Sequence, residues 1–310
     1  DFEKWPIGYR DLEPYYTRAE RLLEVHGEAG RDPFEPARSG DYPFPPIGLN
    51  EPAKRIRDAA LGIGCRPFRI PLAINFANEG RTVCIECTTC DGFPCKIKAK
   101  NDVAATVLQR ARAEGLVILP ATIVGQVAEQ NGTIASAECV DGVTRRRFSL
   151  SARIFVVAAG AIQSPAILLR SGLDRYPQHR LVGRYLMRHC NAVVSAGFPF
   201  RTNPGQVFHK QICITDFYDD FRSGSGMAAG VIQDIYTPSR SVLSHFAPRG
   251  MKALAGLASA HLQNLLCIAE DEPRFENAIE LCPQTDPFGM EVPKVTHRYT
   301  EGDCERRDYL

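Results

Sequence analysis

The apolar pattern in the middle of the chain predicts a helix followed by an antiparallel meander. Apolar side chains recur at helical spacing from Val103 to Gly115, where a glycine ends the pattern. A run of branched apolar residues then begins at Leu116 and predicts a buried strand. The two-residue turn signals Asn131-Gly132 and Asp141-Gly142 separate the segments that follow. The sequence therefore predicts three consecutive antiparallel strands after this helix.

The next element has the pattern of a strand that is buried on both faces. Ile154 to Val157 is continuously apolar, which is typical of a parallel strand. Small residues follow from Ala158 to Ala161, and Ser164-Pro165 offers a helix N-cap with a proline at the first helical position. Ligands bind at the carboxyl ends of strands in open α/β sheets, so the small residues indicate close approach of a ligand. Close packing of the helix on the strand explains them equally well.

The second half of the chain predicts another sheet. Alternating apolar positions after Cys190, in AVVSAGFPF and QICITDF, are typical of strands, and Ala253 to Ile268 is predicted to be a helix packed on them. Gly224 to Gly230 fits a variant of the G-x-G-x-x-G dinucleotide fingerprint. The residues before it are polar and acidic, whereas the fingerprint requires a buried strand there. We interpret this stretch as a flexible surface turn.

Composition excludes several classes of protein. A chain of 310 residues with 44% apolar and 24% charged residues is typical of a globular protein of about two domains. A net charge of +1 gives no electrostatic reason to expect nucleic acid as a partner. No apolar stretch is long and uninterrupted enough to span a membrane. Eleven cysteines are too few for a disulfide scaffold, which indicates a reducing compartment, and we predict the cytoplasm.

Four cysteines lie within twelve residues at the spacing C-x2-C-x2-C-x4-C: Cys84, Cys87, Cys90 and Cys95. Four thiolates can hold zinc or an iron–sulfur cluster, and the compact spacing favours the cluster because zinc sites normally use two separated knuckles. The alternative is a structural or disulfide-prone loop without metal, which is our first interpretation. If this loop were the functional centre, the protein would be a non-enzymatic metal or iron–sulfur binding module.

The segment from Gly160 to Leu173, GAIQSPAILLRSGL, resembles the second signature of the glucose-methanol-choline (GMC) oxidoreductase family. Asp174 stands where that signature ends in glycine. Similar stretches occur from Trp5 to Glu20, from Val182 to His189 and from Glu270 to Pro293. The cysteine-containing loop that ends in Ala99-Lys100 also resembles a loop of the family. The likeness therefore spans nearly the whole chain.

The resemblance implies a mixed α/β (α+β) fold. It consists of part of a discontinuous FAD-binding dinucleotide fold with a β-meander, and of a substrate domain built on an antiparallel sheet with helices. Residues 1–100 are expected to form a substrate or cap segment with the cysteine-rich loop, residues 101–185 a FAD-binding segment, and residues 186–310 a substrate-domain segment. Four residues are expected to contact the cofactor: the backbone of Val124 at the adenine, and Ala158, Ala159 and Gly160 near the ADP half.

The implied activity is that of an FAD-dependent alcohol oxidase or dehydrogenase, which transfers a hydride from a CH–OH group of an alcohol or sugar-like substrate to flavin. An electron-acceptor protein is a further expected partner. Some relatives that pass electrons to a cytochrome hold an iron–sulfur cluster near the cysteine loop, so a cluster is an alternative second cofactor. Family members also carry a G-x-G-x-x-G turn and a C-terminal catalytic histidine, which these 310 residues lack. We therefore expect a central fragment with no catalytic residue of its own, inactive and unable to hold FAD alone.

Overall fold

The computed structural model describes residues 6–87, 90, 93–208 and 210–310. The chain forms two compact units, each discontinuous in sequence. The first comprises Asp1–Leu116, His189–Glu270 and Gly302–Leu310, and the second comprises Val117–Arg188 and Asp271–Glu301. The assignment of segments 1–100, 101–185 and 186–310 to substrate and cofactor roles stays a prediction.

The first unit is built on a five-stranded antiparallel sheet. In spatial order its strands are β1 (Phe68–Arg69), β6 (Ile212–Ile214), β7 (Gly230–Ile235), β8 (Leu262–Ala269) and β5 (Cys190–Gly197). The sequence also forms the helices α1 (Tyr9–Leu22), α2 (Glu51–Gly62), α3 (Val107–Ala113), α5 (Arg222–Ser225), α6 (Arg240–Phe246), α7 (Lys252–Ala258) and α8 (Glu301–Tyr309). The strands predicted after Cys190 are confirmed.

One face of this sheet packs against α2. Three neighbouring strands each contribute one residue to this face: Ile214, Ile232 and Cys267. These residues form a core cluster with Ala60 of the helix. The N-cap of α2 is Asn50, whose side-chain oxygen accepts a hydrogen bond from the N–H of Ala53 at 2.9 Å. The cap and the apolar contact together fix where the helix starts and which side it buries.

Two sequence predictions for this unit are wrong. The predicted helix from Ala253 to Ile268 ends at Ala258, and Leu262–Ala269 is instead the strand β8, paired over its length with β5 and over much of it with β7. A short apolar run is compatible with a helix or with a strand. Here backbone pairing with a strand on each side makes it a strand. The predicted surface turn is also wrong in its second part, because Met227 to Gly230 is buried and leads into β7.

The second unit contains a three-stranded meander and a separate two-stranded hairpin. The meander consists of β2 (Thr122–Gln130), β3 (Thr133–Asp141) and β4 (Arg147–Leu150), and the hairpin of β9 (Ala278–Thr285) and β10 (Glu291–Thr296). Asn131 and Gly132 have φ of 55° and 79°, the two positive values that a tight hairpin turn requires. The predicted meander and its first turn are therefore confirmed.

Three apolar segments near the meander form less structure than predicted. Val103 to Gly115 is helical only over Val107–Ala113, and β2 begins at Thr122, so Leu116 is outside it. The predicted parallel strand Ile154 to Val157 is not formed, and the side chains of Ile154 and Val156 are 81% and 83% exposed. A parallel strand needs neighbours for its backbone hydrogen bonds, and no described strand pairs with this segment.

The helix α4 (Gly160–Arg170) follows and packs on the meander. It begins four residues before the predicted N-cap Ser164, so Pro165 lies within it. Ile167 joins Val127 and Leu173 in a core cluster. The hydroxyl of Ser171 accepts a hydrogen bond from the N–H of Val127 at 2.9 Å and donates one to the carbonyl of Ile167 at 2.6 Å. The two hydrogen bonds of Ser171 therefore connect the end of α4 to β2.

Gly183 is expected to be the least replaceable glycine of the second unit. It has a φ of 78°, and a Cβ there would lie 2.4 Å from the carbonyl oxygen of Ile279. Gly183→Ala should lower the free energy of unfolding by about 3 kcal/mol, measured by urea denaturation. The control is Gly132→Ala, where φ is 79° but nothing lies within 4 Å; it should cost only about 1 kcal/mol. Equal losses would show that the backbone contact is unimportant.

Candidate cofactor site and cysteine loop

The four residues predicted to contact the cofactor all lie in the second unit. Val124 is on β2, 37% exposed, next to a bulge where the register with β3 shifts. Ala158, Ala159 and Gly160 are exposed at the start of α4. Their contact with a cofactor stays a prediction. Their exposure leaves room for one.

The amino end of α4 has the features of an anion-binding surface. Its N-cap residue, Ala159, makes no side-chain cap, and the first turn contains no acidic residue. Gly160 has a φ of 82°, and a Cβ placed there would meet nothing within 4 Å. The first N–H groups of a helix lack partners within it and carry partial positive charge. A phosphate group can therefore approach this end without steric or electrostatic hindrance.

The bulge beside Val124 contains a glycine, Gly125. A Cβ at Gly125 would lie 3.0 Å from the Cε and 3.2 Å from the Sδ of Met290, which is buried. The glycine lets Met290 pack directly against the β2 backbone. This packing fixes the conformation of the strand next to the residue whose backbone is expected to meet the adenine.

The cysteine loop lies in the first unit, and its four cysteines form no disulfide and are partly buried. Burial is the main cause that raises the pKa of Cys84, and it raises the pKa of Cys90 to about 11. Neighbouring cysteines of the loop raise both pKa values further, so the sulfurs are close enough to interact. Thr88, Thr89, Asp91 and Gly92 lie outside the described residues.

Local hydrogen bonds hold the described part of this loop. The Sγ of Cys84 accepts from the N–H of Glu86 at 3.3 Å, and the Sγ of Cys95 accepts from the N–H of Ala99 at 3.2 Å. Among the described residues, no three histidine, cysteine or acidic side chains form a group that could hold a metal ion. The iron–sulfur cluster therefore stays a prediction.

A buried histidine–carboxylate pair in the second unit was not predicted. The Nε2 of His297 donates to the Oδ2 of Asp271 at 3.0 Å, and the same oxygen accepts from the N–H of Arg188 at 2.8 Å. Asp271 is 2% exposed. No short motif reveals this pair, because its members are 26 residues apart. The carboxylate thus connects Arg188, at the end of one segment of the unit, with His297 in the other segment.

The first unit also contains a tyrosine-lined cavity of about 470 Å³ that the sequence did not reveal. The guanidinium of Arg38 lies 4.0 Å from the ring centroid of Tyr42 and is ion-paired with both Glu20 and Glu35. Burial raises the pKa of Tyr42 to about 12. The charged groups around Arg38 thus already have partners within the protein.

Cys90 is expected to react slowly with alkylating reagents. A pKa of about 11 in place of the ordinary 9.0 lowers the thiolate fraction at neutral pH by on the order of a hundredfold. The labelling rate by iodoacetamide, followed by mass spectrometry, should rise with pH until about pH 11. A rate at pH 7 equal to that of a free thiol would contradict the burial of Cys90. Protection that ends when iron is chelated would instead support the cluster.

Asp271→Ala should destabilise the protein by about 3 kcal/mol, because it leaves the N–H of Arg188 and the ring of His297 without their acceptor in a buried place. Asp174→Ala removes an exposed carboxylate of the same unit and should change the free energy of unfolding by less than about 0.5 kcal/mol. Urea denaturation of both variants measures the difference. Similar small losses would show that the pair does not contribute to stability.

Comparison with known proteins agrees with these features. Residues 5–191 match the sequence model described as GMC oxidoreductase. The chain is 33% identical to paromamine 6'-oxidase of Streptomyces fradiae over 99% of its length, and 30% identical to 6'''-hydroxyparomomycin C oxidase of Streptomyces lividus over 98%.

The chain spans about half of those relatives, 56% and 57% of their lengths. It also superimposes on the crystal structure of pyridoxine 4-oxidase from Mesorbium loti with a TM-score of 0.57 and 17% identity, over 97% of this chain and 56% of that one. That likeness shows a shared fold, and the mixed α/β fold class is thereby confirmed. With more than half of its residues matched by the family's sequence model, the chain belongs to the GMC oxidoreductases.

Proposed function

We propose that this chain is part of an FAD-dependent oxidoreductase that oxidises a CH–OH group of a small, hydroxyl-rich molecule. The observation that carries the proposal is the exposed amino end of α4, with its small residues and open space at Gly160, within a chain of the GMC family. Relatives named as oxidases of paromamine and 6'''-hydroxyparomomycin C support an alcohol or sugar-like substrate. A relative named 2-methyl-1,2-propanediol dehydrogenase supports an alcohol group as the reacting centre.

In this proposal the chain contributes cofactor binding. FAD, when bound, accepts the hydride from the alcohol carbon. The N–H groups at the start of α4 bind phosphate oxygens of the ADP half, and Ala158, Ala159 and Gly160 allow their close approach. The backbone of Val124 meets the adenine. We assign no proton-transferring residue within these 310 residues.

An electron-acceptor protein is the further partner that we propose. One relative, 29% identical over 98% of this chain, is named fructose dehydrogenase large subunit, a name that describes one chain of a larger assembly. Another is named gluconate 2-dehydrogenase flavoprotein. Transfer of electrons to a protein would make the enzyme a dehydrogenase.

The cellular location that we propose is the cytoplasm. None of the eleven cysteines forms a disulfide, which supports a reducing compartment. The described residues contain no helix that is both long and apolar enough to cross a membrane.

The proposed cofactor site is tested by placing a negative charge at the amino end of α4. In the natural protein, Ala159→Glu should weaken FAD binding about tenfold, because the carboxylate repels the phosphates where the helix N–H groups would bind them. Flavin released on denaturation of the purified protein and titration of the apoprotein with FAD measure the effect.

The matched control is Ala152→Glu, which adds the same charge at another exposed alanine of the same unit. It should leave FAD affinity and alcohol-dependent dye reduction unchanged. Loss of FAD from both variants alike would remove the support for this site. A natural protein that binds no FAD would overturn the proposed function.

A further inference from the structure

A large open cavity in the first unit is not used by the proposed function. Its volume is about 1000 Å³, and it is lined by residues 201–204 and 206, which follow β5, by residues 236–238, which follow β7, and by residues of α6 and α7. We call it the arginine cavity after Arg201 and Arg240, which both line it. All its lining residues belong to the first unit.

The charge around this cavity has one sign. Among the residues that the structure describes, its lining contains two arginines and His261 but no aspartate or glutamate. The sequence has no acidic residue from Ile235 to Ala269, although 36 of the 310 residues are acidic. Within that stretch, Arg249 and Lys252 add further positive charge. A concave surface with charges of one sign concentrates ions of the opposite sign.

The two arginines differ from the other arginines around cavities of this protein. Arg38 and Arg69 line the tyrosine-lined cavity, and each is ion-paired with glutamate. In the described parts of the chain, the guanidinium groups of Arg201 and Arg240 have neither an ion-pair nor a hydrogen-bond partner. Guanidinium groups that are free of internal carboxylates can bind an external oxyanion in a bidentate manner.

The Arg240 side chain is held in place by helix packing. A Cβ at Gly256 of α7 would lie 2.8 Å from the Cγ and 3.0 Å from the Nε of Arg240. Ser244 of α6 donates a hydrogen bond to the carbonyl of Lys252 at 2.8 Å, which joins the two helices. The absence of a side chain at Gly256 therefore lets the Arg240 stem lie across α7.

His261 and several hydroxyl groups complete the polar lining. The Nδ1 of His261 lies 3.1 Å from the carbonyl oxygen of Phe198, which can only accept, so Nδ1 carries a proton and Nε2 is left for another partner. Ser239 and Ser241 present hydroxyls 3.0 Å apart. Leu254 and Leu257 supply an apolar part of the wall. Such a lining suits a molecule with an anionic group, hydroxyls and a short carbon chain.

We propose that the arginine cavity binds a small organic oxyanion, a phosphate ester or a carboxylate on a hydroxyl-bearing carbon chain. Arg201 and Arg240 bind the anionic group, the serines and His261 bind hydroxyls, and Leu254 and Leu257 contact the carbon chain. The inference goes beyond the proposed function, because it concerns charge recognition in the first unit and needs no flavin.

Binding is measured by calorimetry on the natural protein with three probes that share one carbon chain: glycerol 3-phosphate, glycerate and glycerol. At least one of the two anions should bind at least about tenfold more tightly than glycerol, and its affinity should fall as NaCl is added. The anion that binds more tightly identifies phosphate or carboxylate as the preferred group. Equal affinities for all three probes would overturn the proposal.

Variants locate the binding. Arg240→Gln and Arg201→Gln should each weaken binding of the preferred anion about tenfold, whereas Arg240→Lys keeps the charge but loses the bidentate geometry and should restore only part of the affinity. Arg249→Gln is the matched control, because it removes the same charge from an exposed residue between α6 and α7 that does not line the cavity.

If Arg249→Gln weakens binding as much as Arg201→Gln, the effect is general electrostatics and the proposal is wrong. Arg201→Gln keeps the test valid if Arg240→Gln fails to fold, because the Arg201 side chain has no hydrogen-bond or ion-pair partner within the described residues. FAD content is measured in the same preparations, so failure of the proposed function and failure of this inference are seen separately.

Discussion

Pairing of backbone hydrogen bonds between antiparallel strands is the constraint on which both units depend. Every strand named here lies in an antiparallel ladder. Of two segments with similar apolar content, the one with partner strands forms a strand and the one without them does not. Leu262–Ala269 has partners on both sides and forms a central strand, whereas Ile154 to Val157 has none among the described strands and stays irregular and exposed. Buried backbone groups need partners, so apolarity alone does not make a strand.

Glycines then determine how closely the paired elements approach one another. At Gly230 a Cβ would lie 2.1 Å from the carbonyl of Ile268, so β7 can begin beside β8 only because the side chain is absent there. Gly183 permits the same close approach to Ile279, and Gly125 to Met290. These positions lie at a strand start, beside the hairpin and at a bulge. The contacts of Gly230 and Gly183 with backbone carbonyls tolerate no Cβ, so they hold the register of the elements they join, whereas Gly125 contacts the end of a side chain.

Charge is distributed differently around two of the cavities of the first unit. In the tyrosine-lined cavity, the carboxylates of Glu20, Glu28 and Glu35 are paired with arginines, and these pairs hold the wall together. The arginine cavity has cations without carboxylates among its lining residues. Paired charges mainly stabilise a local conformation, whereas cations in a cavity without acidic groups produce a field that a ligand can use. The arginines of the tyrosine-lined cavity thus have a structural role, whereas those of the arginine cavity are the ones proposed to bind a ligand.

The sequence by itself determined the family, the mixed fold class and the local elements whose signals are short-ranged. The hairpin turn at Asn131-Gly132 and the signature from Gly160 to Leu173 depend on neighbouring residues, so they can be read without a structure. Only the tertiary structure decided that Leu262–Ala269 is a strand, that Asp271 meets His297, and that Arg201 and Arg240 line one cavity. Each of these depends on residues far apart in the chain. Their contacts follow from how strands pair and helices pack, which no local pattern specifies.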